Sequence, residues 1–272
     1  MHRRHFIGLG GAAALLGTAE AEAAPLQAIG FAGSVADWGI EANAERDQSS
    51  MMQKTINELA AGGQPIVIPA GRYRFAKLQL PSRAAVFGVP GLTMIAAPVG
   101  QSVFECVNKQ DVGLRGVTFA GTGLVARDCR NLTIADCEVL TSDGDGLFCS
   151  GAGLFVARNR ASSCAKSAIW VEGDGMVTNN IISGEGQFGL RLGGPRRLGT
   201  MTVINNLIGG TAVGIGVSNA SDGYAFIAMN MITGAKKGGI RALNGEDLTG
   251  KDLTQGGSEA FRNLAIAANV SV

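Results

Sequence analysis

Beyond residue 110 the hydrophobic pattern repeats one phrase, in which an apolar residue is followed three positions later by asparagine. It reads Val156/Asn159, Val177/Asn180, Val203/Asn206, Ile227/Asn230 and Ile266/Asn269, with Ile134/Cys137 placing cysteine where asparagine otherwise stands. The steps from Cys137 to Asn230 are 22, 21, 26 and 24 residues. A second phrase, a small residue and then an apolar one, runs in step at Gly123-Leu124, Gly146-Leu147, Ala168-Ile169, Gly189-Leu190, Gly214-Ile215 and Gly239-Ile240. Two registers that share one period imply a repeating structural unit. Leucine-rich repeats need several leucines per unit, and helical repeats are longer and do not tolerate glycine in each one. Short apolar runs between glycine and asparagine corners predict coils of a parallel β-helix, whose core forms only when coils stack. Asparagine at the corner tolerates the left-handed backbone conformation. Its amide can also bond the identical amide one coil away.

The pattern changes upstream. Residues 47–61 carry Met52, Ile56 and Leu59 on one helical face, with Asp47 or Ser49 as candidate N-cap and Gly62-Gly63 as the stop. Residues 1–23 join a basic start (Arg3, Arg4) to a short apolar run and small residues, which predicts an export signal resembling the twin-arginine type. The expected organisation is thus a signal at 1–23, an extended segment at 24–46, a capping helix and first coil at 47–105, and repeats over 106–272. A polar stretch at 243–263 lengthens the last repeat and is expected to be an inserted loop. The chain ends part-way through a coil, so self-association through an uncapped C-terminal coil is an expected partner interaction.

Composition narrows the function classes. With 46% hydrophobic residues the chain can build a core, and a formal net charge of +1 offers no broad attraction for nucleic acid or anionic membrane. After signal removal no stable membrane insertion is expected, and the location is periplasmic or secreted. Both histidines, His2 and His5, fall within the signal, which removes histidine-dependent triads and histidine-ligated metals from consideration. The five cysteines form no C-x-x-C pair and have apolar or small neighbours, which suits buried thiols.

The stretch 37–90 carries a short helix followed by Ile66, Pro69, Gly71 and Tyr73, an IxxPxGxY strand. It resembles the N-terminal cap of pectate-lyase-superfamily β-helices. Together with the signal and the Asn-x-Ile coils, the whole chain resembles the twin-arginine-translocated repeat proteins of bacteria. The resemblance implies an all-β, single-stranded right-handed parallel β-helix with coils of about 21–26 residues and a short N-terminal capping helix. The sequence lacks the Asn-x-Asp, Asp-Asp, Gly-His-Gly and Arg-x-Lys set of polygalacturonases and the Asp-Pro-His-Glu phrase of alginate epimerases.

Strand alternation puts the residue after each second-phrase apolar position on the outer surface. Phe148, Trp170, Arg191 and Arg241 therefore fall on one stripe, with Glu172 beside Trp170. An aromatic platform next to a guanidinium suits a polysaccharide carrying carboxylates. Asp143 and Asp145, in Asp-Gly-Asp-Gly, are either calcium ligands or tight-turn residues. β-Elimination on a uronate needs a base and a cation to stabilise developing charge, with Arg191 and Lys166 as candidates. The expected function is engagement of a polysaccharide, with lyase action on an acidic glycan as its enzymatic form. The alternative is a non-catalytic structural or adhesive envelope protein.

Overall fold

The computed structural model describes residues 33–194, 197–219 and 222–272. The expected signal at 1–23 lies outside the described residues. The 33–46 stretch is not simply extended, because it holds a 3-10 turn at Val35–Trp38 before the helix Ser49–Ala61. That helix buries Met52, Thr55, Ile56 and Leu59 against the first coil. Gln48, rather than Asp47 or Ser49, occupies the N-cap position, and its side chain is turned back to bond both N–H and C=O of Glu41. Asp47 instead accepts from the Ser49 N–H at 2.8 Å.

The remaining chain winds into parallel coils with three faces. On the first face Leu78, Phe104, Leu124, Leu147, Ile169, Leu190, Ile215 and Ile240 stack in register through successive coils, each at most 1% exposed. On the second face the same happens from Leu114 through Ile134, Val156, Val177, Val203 and Ile227 to Ile266. The third face runs from Tyr73 through Ile95, Phe119, Val139, Ala161, Ile182 and Ile208 to Ile232. These three inward columns form the core. Each coil adds about 4.8 Å along the axis.

The asparagine phrase becomes a continuous amide ladder. Asn159, Asn180, Asn206 and Asn230 each donate through Nδ2 to the Oδ1 of the next, ending at Asn269, over 2.9–3.0 Å. The same oxygens accept the backbone N–H one coil earlier, including that of Cys137 from Asn159. The left-handed conformation expected at these asparagines belongs instead to the residue before each: Asp136, Arg158, Asn179, Asn205, Met229 and Ala268, with φ of 53–57°. The physical reason is direction. The corner residue turns the chain with its side chain outward, which leaves the next residue pointing its amide into the buried ladder.

Between the first and second faces the corner is a glycine column, Gly151, Gly173, Gly199 and Gly223, all with positive φ. A Cβ on Gly173 would stand 1.9 Å from the Gly151 carbonyl oxygen, and one on Gly199 would stand 2.2 Å from that of Gly173. Only glycine lets these backbones stack so closely.

The 243–263 stretch is ordered rather than a plain loop. Strand Ile240–Asn244 turns at Gly245-Glu246 into Asp247–Thr249 as an antiparallel hairpin, with Gly245 providing the positive φ. Asp252 then accepts from the N–H groups of Gly239, Ile240 and Thr254, which ties the insertion back to its own coil. Among the described residues no helix is long and apolar enough to cross a membrane.

Candidate functional site

The outward residues of the first face form one column in the register Glu105, Val125, Phe148, Trp170, Arg191, Gly216, Arg241. Phe148 and Trp170 meet edge to face with ring centroids 4.8 Å apart. Trp170 Nε1 donates to the Gly193 carbonyl at 3.0 Å, which fixes the ring. Guanidinium groups close both ends of the pair. Arg127 lies 5.0 Å over the Phe148 ring and Arg191 lies 4.2 Å over that of Trp170. The result is a cation–ring–ring–cation stack along the axis.

The column is not uniformly open. Arg191 is only 5% exposed, because the hairpin folds over the outer surface and Glu246 pairs with its Nη1 at 3.0 Å, while the Gly245 carbonyl accepts from Nη2. Phe188, Val213, Leu243 and Leu248 form a small apolar cluster beneath the hairpin. Gly216 leaves room for it, since a Cβ there would lie 2.8 Å from the Phe188 ring. Arg241 is spent on the insertion, donating to the carbonyls of Lys237 and Gly250. The exposed stripe expected through Arg191 and Arg241 is therefore cut short at Trp170. Arg191, expected as a catalytic base or charge stabiliser, is a buried ion-pair partner, and Arg241 is a strut.

On the other side of Trp170 lies an open groove of about 570 Å³. Val125, Phe148 and Trp170 are in its lining, joined by Lys77, Arg127, Lys166, Glu105, Asp143 and Asp145. It crosses five coils, so its length along the axis is on the order of 19 Å. Cations and carboxylates alternate around it. Glu105 is held by Ser102 at 2.8 Å and by Gln79 at 2.9 Å, and Asp145 accepts from the Ser167 N–H at 2.9 Å. Phe148 itself is sunk, at 6% exposure, under Arg127 and Trp170.

Glu172 stands two residues beyond Trp170, half-buried, with its Oε1 so close to Gly194 that a Cβ there would approach to 2.3 Å. Burial pushes its pKa above the ordinary carboxylate range. Arg191 and Arg127 pull against that rise, and Asp128 adds to it.

Comparison with known proteins follows this geometry. The family model described as the right-handed beta helix region matches residues 103–252, more than half of the chain. The chain belongs to the right-handed β-helix family. A sequence search of curated proteins finds no match. Among solved structures, this β-helix is similar to the A-module of a mannuronan C-5 epimerase from Azotobacter vinelandii (17% identity, TM-score 0.54, 88% of this chain and 86% of that one). It is similar to an iota-carrageenase from A. fortis (16%, 0.57), spanning 77% of this chain and 57% of that one. It is also similar to an exopolygalacturonase from Thermotoga maritima (11%, 0.54, 87% and 78%). At these identities the likeness is one of fold.

Of the residues singled out in the sequence, the β-helix brings Phe148, Trp170, Asp143, Asp145 and Lys166 to one groove and leaves Glu172 at its edge. Asp143 and Asp145, expected as calcium ligands, both line the groove. One Asp145 oxygen accepts from the Ser167 N–H one coil further on, and no group of three or more acidic, cysteine or histidine side chains converges among the described residues. Pro195 and Arg196 lie outside the described residues, while Arg197 pairs with Asp174 at 3.1 Å. Sequence reading missed Lys77, Glu105 and Arg127. Glu105 was reachable, because it is the residue after Phe104 in the same inward column. Arg127 was reachable too, because it lies two residues beyond Val125 on the same outward face, with the buried Ala126 between them.

Proposed function

We propose that this β-helix engages an extended polysaccharide in the groove between Lys77 and Trp170. The observation that carries the reading is the Phe148–Trp170 pair, clamped by Arg127 and set in a wall of alternating cations and carboxylates. The exposed part of Trp170 offers an apolar surface to a sugar face, and Lys166 and Lys77 reach the same space for carboxylates or hydroxyls. The three similar solved structures are named as a mannuronan epimerase, a carrageenase and an exopolygalacturonase, and a polysaccharide ligand for this chain agrees with those names. Such polymers lie outside the cytoplasm, which accords with export by the twin-arginine route.

The enzymatic form of the proposal is β-elimination on a uronate. Lys166 takes the proton from the carbon beside the carboxylate while Arg127 holds that carboxylate, the place given in sequence to Arg191. The freed electron pair forms the new double bond, the bond to the glycosidic oxygen breaks, and water protonates the departing oxygen. No step runs through a metal ion.

The test is affinity electrophoresis on pectate, alginate and hyaluronan, with ultraviolet absorbance followed for the unsaturated product. Trp170→Ala is expected to weaken binding at least tenfold, about 1.4 kcal/mol, with circular dichroism confirming the fold. Unchanged affinity in that variant would overturn the groove reading. Absorbance that rises with the parent protein and not with Lys166→Ala supports elimination, and no rise on any of the three polymers removes it.

A further inference from the structure

We propose that Cys106 and Cys129 are an oxidation site, a thiol pair that a hydroperoxide closes into a disulfide joining two successive coils. Their sulfurs lie 3.5 Å apart in the core. All five cysteines are reduced and buried, but the other three aim their sulfurs at backbone carbonyls: Cys137 at Ala135 (3.3 Å), Cys149 at Trp170 (3.8 Å) and Cys164 at Ser162 (3.6 Å). Cys129 also reaches the carbonyls of Arg127 (3.4 Å) and Cys106 (3.5 Å), but only in this pair does sulfur meet sulfur.

Their placement follows from the corner they share. Cys106 comes two residues before Asn108, and Cys129 one residue after Asp128, and both corner residues are left-handed (φ 54° and 51°). The corners stack, since the Asn108 N–H donates to the Arg127 carbonyl at 2.9 Å and the Arg130 N–H to that of Lys109 at 2.8 Å. Both thiols are thereby turned into the same interior angle. Covalent closure needs the sulfurs to approach by about 1.5 Å, within reach of χ1 adjustments at two side chains.

The chemistry balances with a small oxidant. The Cys129 thiolate attacks one peroxide oxygen, giving the sulfenic acid and hydroxide or an alcohol. The Cys106 thiol then displaces water from that sulfur, leaving the disulfide. The division of roles follows the environment. Contact with Cys106 and nearby backbone donors draws the Cys129 thiol below its ordinary pKa against the opposing effect of burial, whereas Cys106 is pushed up. The bond would tether the bulge that carries Arg127 onto the Phe148 ring.

Hydrogen peroxide is the probe, applied to the folded protein, followed by alkylation in denaturant and peptide mapping. The expected result is loss of two of the five thiols, with one cross-linked peptide joining the segments of Cys106 and Cys129. A Cys106→Ala variant should stop at a Cys129 sulfenic acid trapped by dimedone, and Cys149→Ala should still cross-link. Retention of all five thiols, a different linkage, or over-oxidation of Cys129 without linkage in the parent protein overturns the proposal. Because the mapping is done on the unaltered chain, misfolding of a variant leaves it decisive.

Discussion

Single side chains here act by being stacked on their own kind or on a complement. Asn180 is representative. Its Oδ1 accepts the Asn159 N–H at 2.9 Å, and its Nδ2 satisfies the Val156 carbonyl at 3.1 Å. Asn180→Ala strands both buried groups and is expected to cost about 2–4 kcal/mol, read as a lower urea midpoint with unchanged slope. Glu172 makes the opposite kind of prediction. Its folded-state pKa is raised, so the folded chain holds a proton that the unfolded chain has lost. The associated stability is complete below the ordinary glutamate pKa and disappears as pH rises through the folded value. Glu172→Gln should flatten that segment of the stability–pH curve, and denaturation at a series of pH values checks it. The asparagines were legible in the sequence because the same buried task recurs in each coil. The left-handed residues before them were not, since Asp136, Arg158 and Met229 share no side-chain chemistry. Outward-facing corner side chains are free to vary.

At the scale of elements, the strands and the capping helix follow from short-range pattern, while the hairpin does not. The Met52, Ile56 and Leu59 face is fixed by helical spacing, and the inward columns by alternation and period. The 243–263 insertion has no repeat partner to compare it with. Its docking rests on Arg191 with Glu246 and the Gly245 carbonyl, on the apolar cluster beneath it, and on the vacancy left by Gly216. That is also why the sequence placed Arg191 in an open site. Glu246→Ala removes the carboxylate from a buried guanidinium. Since Glu246 itself is largely exposed, the expected loss is modest, about 1–2 kcal/mol. Hydrogen exchange should speed up across the 244–249 backbone and leave the columns at Leu147 and Ile169 protected. Unchanged exchange there would mean that the apolar cluster of Phe188, Val213, Leu243 and Leu248 holds the hairpin unaided.

The coils form a one-dimensional stack in which each leans on its neighbours. The corner glycines are its tightest joints. Gly173→Val forces a branched side chain against the Gly151 carbonyl in mid-stack and should break the chain into unequal cooperative blocks, seen as two denaturation transitions where the parent shows one. Persistence of a single transition with a small shift would show that the corner can widen. The groove's membership was only partly readable for the same architectural reason. Period and alternation assign residues to a face, so Phe148 and Trp170 could be found. Lys77 comes from a left-handed corner (φ 54°), where direction is set by contact between coils.

The strap formed by Glu246 over Arg191 gives the cylinder a stopper on one side. A polymer lying along the axis from Lys77 runs out of track at Trp170. It must either terminate there or veer off the surface, so the protein would favour chain tips or bent segments over the middle of a straight strand.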